Sequence, residues 1–261
     1  MMMLQSFALV APVPRTEDVG TDAVVTLLRD YDGKRVIAED SLFVQIKSES
    51  VTEVVYEGDQ VKWLFELDLP LFYASVDRKA GILRFFCAHE LSEAYIMNHA
   101  RKKVTIDFSD KGNWIDLMSA DDERVKIGPP VMQWTLDDCA EPTMAWLFHR
   151  LIKDHVRIAK RNLATRKFGF VTYLGWETNQ PLVEGLMKSS SSRPASEHME
   201  RLYNEMMPYF ISWTISLTYS GEVAQMRDVE KLLANAKRAM LAIAERRAKN
   251  QTPGQSDEGH Q

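Results

Sequence analysis

The 261 residues carry 45% hydrophobic and 26% charged side chains with a net charge of −5, the balance of a globular chain long enough to bury a proper core as one large domain or two small ones. No apolar run approaches the length that crosses a bilayer, and the acidic total argues against a protein that merely coats nucleic acid. Two cysteines, Cys87 and Cys139, make neither a disulfide framework nor a zinc site, so a cytoplasmic protein with two ordinary buried thiols is expected.

Met1 to Val10 lacks a charged start and a cleavage-like site, and does not read as a signal peptide. Residues 23–28 (AVVTLL) predict a strand, and 30–34 a hairpin turn around Asp32-Gly33. Returning strands are expected at 36–38 and 42–47. A helix at 58–67 carries Val61, Leu64 and Phe65 at helical spacing. Pro70 stops it and opens the buried strand 71–76, which a turn at 77–81 connects to a paired strand at 82–87. A short helix at 91–101 and a strand at 104–108 complete a mixed α/β domain ending near Asp138.

The remainder predicts a helical region. Residues 142–163 place Met144, Leu147, Phe148, Leu151, Ile152 and Ile158 on one stripe. Arg150, Lys153, Arg157, Lys160 and Arg161 fall mostly on the other side, where they suit a phosphate backbone or form a solvated face. A lone strand is expected at 167–174, a flexible loop at 189–194, and helices at 197–207 and 223–248. Residues 1–140 thus form the α/β domain, 141–250 a helical, basic interaction region, and 251–261 a disordered tail. Residues 1–140 hold 15 Lys and Arg against 24 Asp and Glu, and the rest hold 17 against 13. An acidic first part suits cation binding and a basic second part suits phosphates or an acidic partner; a harmless compositional difference explains the split equally well.

One constellation carries chemistry. Leu42, Val44 and Ile46 alternate with Phe43, Gln45 and Lys47, so Gln45 and Lys47 project from one side of one strand. Asp22 enters an earlier strand after Gly20. Phosphodiester hydrolysis needs a cation that neutralises non-bridging oxygens and lowers the pKa of an attacking water. Magnesium prefers oxygen ligands and keeps several waters. Asp22 would be the anionic ligand, with the Gln45 side-chain oxygen and the Ile46 carbonyl completing the protein shell. Lys47 would orient the water or stabilise charge at phosphorus. The plain alternative has Asp22 capping a turn, with Gln45 and Lys47 facing solvent on an edge strand. His89, Glu90, Glu93 and His99 lack the one-turn histidine spacing of a zinc-protease helix and are expected to be ordinary surface residues. Asp121-Asp122-Glu123 and Asp137-Asp138 are expected to mark turns or helix starts, with cation binding as the alternative. Tyr209, Phe210, Trp213 and Tyr219 are expected to pack in a core, with a partner or dimer surface as the alternative.

The order Gly20-Thr21-Asp22, strand, hairpin, Phe43-Val44-Gln45-Ile46-Lys47-Ser48 resembles the PD-(D/E)XK nuclease superfamily. The closest likeness is to the branch in which glutamine replaces the acid, as in Mrr-like restriction endonucleases. It is also similar to a prokaryotic domain-of-unknown-function family of that superfamily. There a tryptophan-bearing helix, a proline and a hydrophobic strand follow the lysine, as Trp63, Pro70 and Leu71 to Asp77 do here. The resemblance covers roughly residues 15–110. It implies a restriction-endonuclease-like α/β fold, a mixed sheet flanked by helices, with Mg²⁺- or Mn²⁺-dependent cleavage of DNA in restriction or anti-phage defence. Such nucleases usually bear an acid on a helix before the Asp strand. Here Pro12 and Pro14 interrupt the short preceding segment; Glu17 is the weaker fourth ligand, and Asp32, Glu39 and Asp40 are substitutes. Cutting both strands would call for two sites and hence a homodimer. The rival reading is a catalytically inactive nuclease-fold subunit that binds a partner protein through its helical half. A third is an unrelated α+β interaction domain in which Gln45-x-Lys47 is coincidence.

Overall fold

A computed structural model describes residues 3–14, 20–32, 35–112, 118–189 and 195–251. They form two units, Met1–Ser192 and Arg193–Gln261. In chain order the first contains β1 (Ala8–Pro12), β2 (Ala23–Asp30), β3 (Val36–Ser48), β4 (Glu53–Glu57), α1 (Asp59–Glu66), β5 (Leu71–Asp77), β6 (Ile82–Cys87) and α2 (Leu91–Met97). β7 (Lys103–Asp110), β8 (Arg124–Gly128), β9 (Met132–Thr135), α3 (Pro142–Thr165), β10 (Phe170–Gly175) and β11 (Val183–Ser189) follow. The second unit pairs α4 (Ala195–Tyr219) with α5 (Val223–Gln251). This is the expected mixed α/β fold with a C-terminal helical region. Among the described residues, no helix is long and apolar enough to cross a membrane.

Period-two alternation builds the main sheet, ordered β1-β2-β3-β5-β6-β9. Ala23, Val25, Leu27, Leu42 and Val44 turn to one face and are essentially sealed from solvent. The β3–β5 pair is parallel, while its neighbours are antiparallel. A parallel pair needs a crossover, which α1 supplies. Residues 71–75 of β5 are buried on both faces, so the strand reads as a continuous apolar run rather than an alternation. One face packs on α3. The other faces α1, α2 and a second sheet ordered β4-β7-β8.

The structure moves the domain boundary from near residue 140 to 192. Phe148, Leu151, Ile152 and Val156 of α3 lie in the main core, and the Phe148 ring sits 5.3 Å from buried Trp134. Fully burying such side chains contributes about 1.5–3 kcal/mol each, which ties α3 to the sheet rather than to the later helices.

Other expectations shift for local reasons. β3 runs unbroken through Glu39 and Asp40, because Lys153 donates to Glu39 Oε1 at 2.9 Å and Lys160 to Asp40 Oδ1 at 2.6 Å. The helix α2 ends at Met97, where Asn98 turns extended and its side-chain oxygen accepts the Ala100 N–H at 3.1 Å. β10 is paired with β11 rather than alone. α4 continues through Pro208 to Tyr219. The hairpin's Gly33 and Lys34 and the tail 252–261 lie outside the described residues, as does most of the serine loop, residues 190–194.

Candidate functional site

The Gly20-Thr21-Asp22 turn is shaped by a tryptophan. Gly20 has φ +79°, and a Cβ there would lie 2.8 Å from the Trp63 ring. Gly20→Ala should therefore cost about 2–4 kcal/mol, from the left-handed backbone and the overpacking together. Trp63→Leu in the same chain should relieve the steric part, so that urea denaturation finds the double variant less impaired than the two single losses added. Strict additivity would mean that the ring does not set the turn.

The same ring continues inward. Trp63 stacks on Tyr56 with centroids 6.3 Å apart. Tyr56 donates its hydroxyl hydrogen to Gln45 Oε1 at 2.7 Å and lies 3.0 Å from the Tyr73 hydroxyl. Since Tyr56 spends its hydrogen on Gln45, Tyr73 donates to Tyr56. Burial, then the neighbouring Tyr56, raises the Tyr73 pKa well above the usual phenol value. Gln45 is only 9% exposed. It is therefore neither a solvent-facing edge residue nor an amide aimed at open water.

Asp22 is exposed and lies where the β2–β3 ladder ends. Its N–H donates to the Val44 carbonyl at 2.9 Å, and its carboxylate Oδ2 accepts the Ile46 N–H at 2.6 Å. The acid is thus fastened to the backbone residue between Gln45 and Lys47. Lys47 is half-buried, on the strand face that also carries Gln45, and is aligned with Ser75 of β5. Folding brings Asp22 to the Gln-x-Lys strand as expected. Glu17 lies outside the described residues.

Asp22 offers one exposed carboxylate, so a cation held there would keep most of its waters. A multi-carboxylate centre is not formed: among the described residues, no three His, Cys, Asp or Glu side chains converge as a metal group. The Gln45 oxygen already accepts from Tyr56, which leaves it one further lone pair. The substitute acids are also committed, Glu39 and Asp40 to α3 lysines and Asp32 to Arg35 at 2.7 Å.

The five cations of α3 do not make one open stripe. Lys153 and Lys160 are occupied by β3 carboxylates. The Arg150 guanidinium lies 5.6 Å from the centre of the exposed Trp146 ring. Arg150 and Arg157 are exposed, whereas Arg161 is half-buried. An exposed guanidinium beside an exposed aromatic is the portion best suited to nucleic-acid contact.

His89, Glu90 and Glu93 are not the expected surface residues; only His99 is exposed. His89 Nε2 and His155 Nδ1 share a hydrogen bond of 2.9 Å in the interior, beside Trp176. Burial holds the His155 pKa down at about 3, and burial followed by the His155 and Lys111 charges pushes His89 well below its usual value. Lys111 Nζ lies 2.7 Å from Glu90 and 3.9 Å from Glu93. Glu93 Oε1 accepts from the Met118 N–H at 2.9 Å and the Tyr173 hydroxyl at 3.1 Å. Burial raises the Glu90 pKa to about 7 despite Lys111. The sequence signal for this cluster is weak: its members come from α2, α3, β10 and the segment after β7. The other acidic pairs do mark turns. Asp138 accepts from the Thr135 N–H at 2.7 Å, and Asp122 from the Ser119 N–H at 2.6 Å.

No family model, curated protein or solved structure matches this chain, so the reading of the site rests on its own geometry.

Proposed function

We propose that the chain is a metal-dependent nucleic-acid phosphodiesterase of the PD-(D/E)XK kind, a DNA endonuclease whose site is Asp22 and Lys47 on a strand positioned by Gln45. The observation that carries this reading is the 2.6 Å bond from the Ile46 N–H to the Asp22 carboxylate, which fastens the acid between Gln45 and Lys47. Asp22 would hold Mg²⁺ or Mn²⁺; when bound, the cation neutralises phosphate oxygens and acidifies a bound water. The Lys47 ammonium supplies positive charge where the phosphoryl oxygens gain negative charge in the transition state. Gln45, held by Tyr56, fixes the strand that presents both. A role in restriction or anti-phage defence accompanies this reading.

The test is cleavage of supercoiled and linear DNA with Mg²⁺ or Mn²⁺. Asp22→Asn keeps an acceptor for the Ile46 N–H, so folding should survive while cutting falls about 100-fold or more. Lys47→Met should lose a similar factor. Wild type that leaves DNA intact with either metal, or Asp22→Asn that cuts normally, would defeat the catalytic reading.

A second reading is a catalytically inactive subunit that binds a partner protein through its helical half. It is favoured by the engagement of Gln45 with Tyr56 and by the exposure of Tyr209, Ile211, Trp213, Ile215 and Tyr219 on α4. These side chains are not the core cluster that their composition suggests, and exposed aromatics of this kind mark interaction surfaces.

A further inference from the structure

A cavity of about 750 Å³ opens between α1, α2 and the C-terminal end of α3, and Asp22 is not part of its lining. Its lining includes Lys62, Arg101, Arg166 and Lys167, with Tyr95 and Phe65 supplying aromatic wall. Its volume lies in the range of small-molecule sites and far exceeds that of an inorganic anion.

Two of its cations are unusual. Arg101 is 8% exposed and Arg166 is 4% exposed. Arg166 Nη2 donates to the carbonyls of Phe65 at 2.7 Å and Leu67 at 2.9 Å, at the end of α1, and its guanidinium lies 5.0 Å from the Tyr95 ring centre. Yet Arg166 Nη1, and both Nε and Nη1 of Arg101, are sealed from solvent with no hydrogen-bond partner, while Arg101 Nη2 donates to the Ser119 carbonyl at 3.4 Å. Among the described residues, neither guanidinium nor Lys167 has a carboxylate within ion-pair distance. Buried donors left unspent are costly unless something accepts from them. Burial holds the Arg166 pKa down at about 10 and lowers that of Arg101, the sign of charge incompletely compensated, although Asp122, Glu123 and Asp121 oppose the Arg101 shift. The acids of the lining, Asp59, Glu66 and Asp68, lie at the α1 side, and Lys62 pairs with Asp59 at 3.6 Å.

We propose that this cavity binds a nucleoside monophosphate, its phosphate accepting from Arg101, Arg166 and Lys167 and its organic part lying against Phe65, Tyr95 and the aliphatic wall. Guanidinium forks match phosphate oxygens in pairs. The site is separate from the Asp22 strand and requires no metal.

The test is calorimetric titration of the full chain, in a chelator, with adenosine 5′-monophosphate, adenosine and inorganic phosphate. The monophosphate should bind at least tenfold more tightly than either fragment. Arg101→Gln should weaken it about tenfold or more. Lys167→Gln, an exposed change that spares the fold, should weaken it several-fold. Asp22→Asn should bind it as wild type does, which separates this site from the proposed nuclease centre. Competition by a 5′-phosphorylated dinucleotide would assign the site to strand ends, and failure to compete would assign it to free nucleotide. Adenosine or phosphate alone binding as tightly as the monophosphate would overturn the proposal, as would no binding or no effect of Lys167→Gln.

Discussion

Acidification from pH 7 to pH 3 is expected to remove about 4–5 kcal/mol of stability from the first unit through His155 alone. This imidazole is completely buried, and burial lowers its pKa from 6.5 to about 3. In the unfolded chain it takes up a proton near pH 6.5, whereas in the native state it refuses one until about pH 3. Between those values the unfolded state binds more protons, so stability is full above pH 6.5 and falls as pH drops toward 3. His89 acts in the same direction, because its pKa is also depressed by burial. The geometry makes the cost concrete. The two rings share one hydrogen bond, and His89 Nδ1 and His155 Nε2 have no other partner. A proton added to either ring would be a buried charge with no carboxylate in ion-pair contact among the described residues. His155→Gln replaces the ring with an amide that does not titrate. Urea denaturation, followed by the fluorescence of nearby Trp176, should find the variant weaker than wild type at pH 7. That gap should close, or reverse, by about 4 kcal/mol at pH 3. Parallel pH profiles for the two proteins would show that this ring does not titrate in the way proposed.

The contrast between this cluster and the Asp22 strand explains what could be read from the chain. β2, β5, β6 and the core positions of β3 were legible because one buried face forces alternation and two buried faces force an apolar run. Gly20 and Trp63 lie far apart in the chain, and nothing in their spacing says that the ring occupies the space a Cβ would need. Gln45 looked like a ligand because its neighbours alternate. Only the fold brings Tyr56 of β4 to its amide oxygen, and β4 itself was missed: the segment Glu53-Val54-Val55-Tyr56-Glu57 carries acids at both ends and a single fully buried side chain. The α3 lysines resembled a phosphate-binding stripe because amphipathicity says which side faces away from the core, not what crosses that side. Here β3 presents Glu39 and Asp40 to it. Buried ionisable groups leave no periodic trace. Glu90 and Glu93 flank the start of α2 in a sequence that reads as ordinary helix surface, and Lys111 lies twenty positions downstream.

Glu90 supplies the second large effect, with the opposite sign. Its carboxyl is buried and its pKa is raised from 4.5 to about 7, first by burial and then by Glu93, against the pull of Lys111. The native state therefore keeps a proton that the unfolded chain has released, and stability falls as pH rises from 4.5 to 7, remaining level above that. The loss amounts to about 3 kcal/mol. Glu90→Gln holds the neutral form at every pH, and Glu93 remains 3.9 Å from Lys111. The variant should therefore gain about 3 kcal/mol relative to wild type between pH 4.5 and pH 8, whatever its starting offset from the lost 2.7 Å ion pair. In wild type the Glu90 slope opposes the slopes of His155 and His89 between pH 4.5 and 6.5, so its stability should rise less steeply there than that of Glu90→Gln. Wild type thus partly conceals the Glu90 titration, and the single substitution exposes it. If Glu90→Gln keeps a constant offset from wild type across that range, Glu90 is ionised throughout in the native state and Lys111 outweighs its burial.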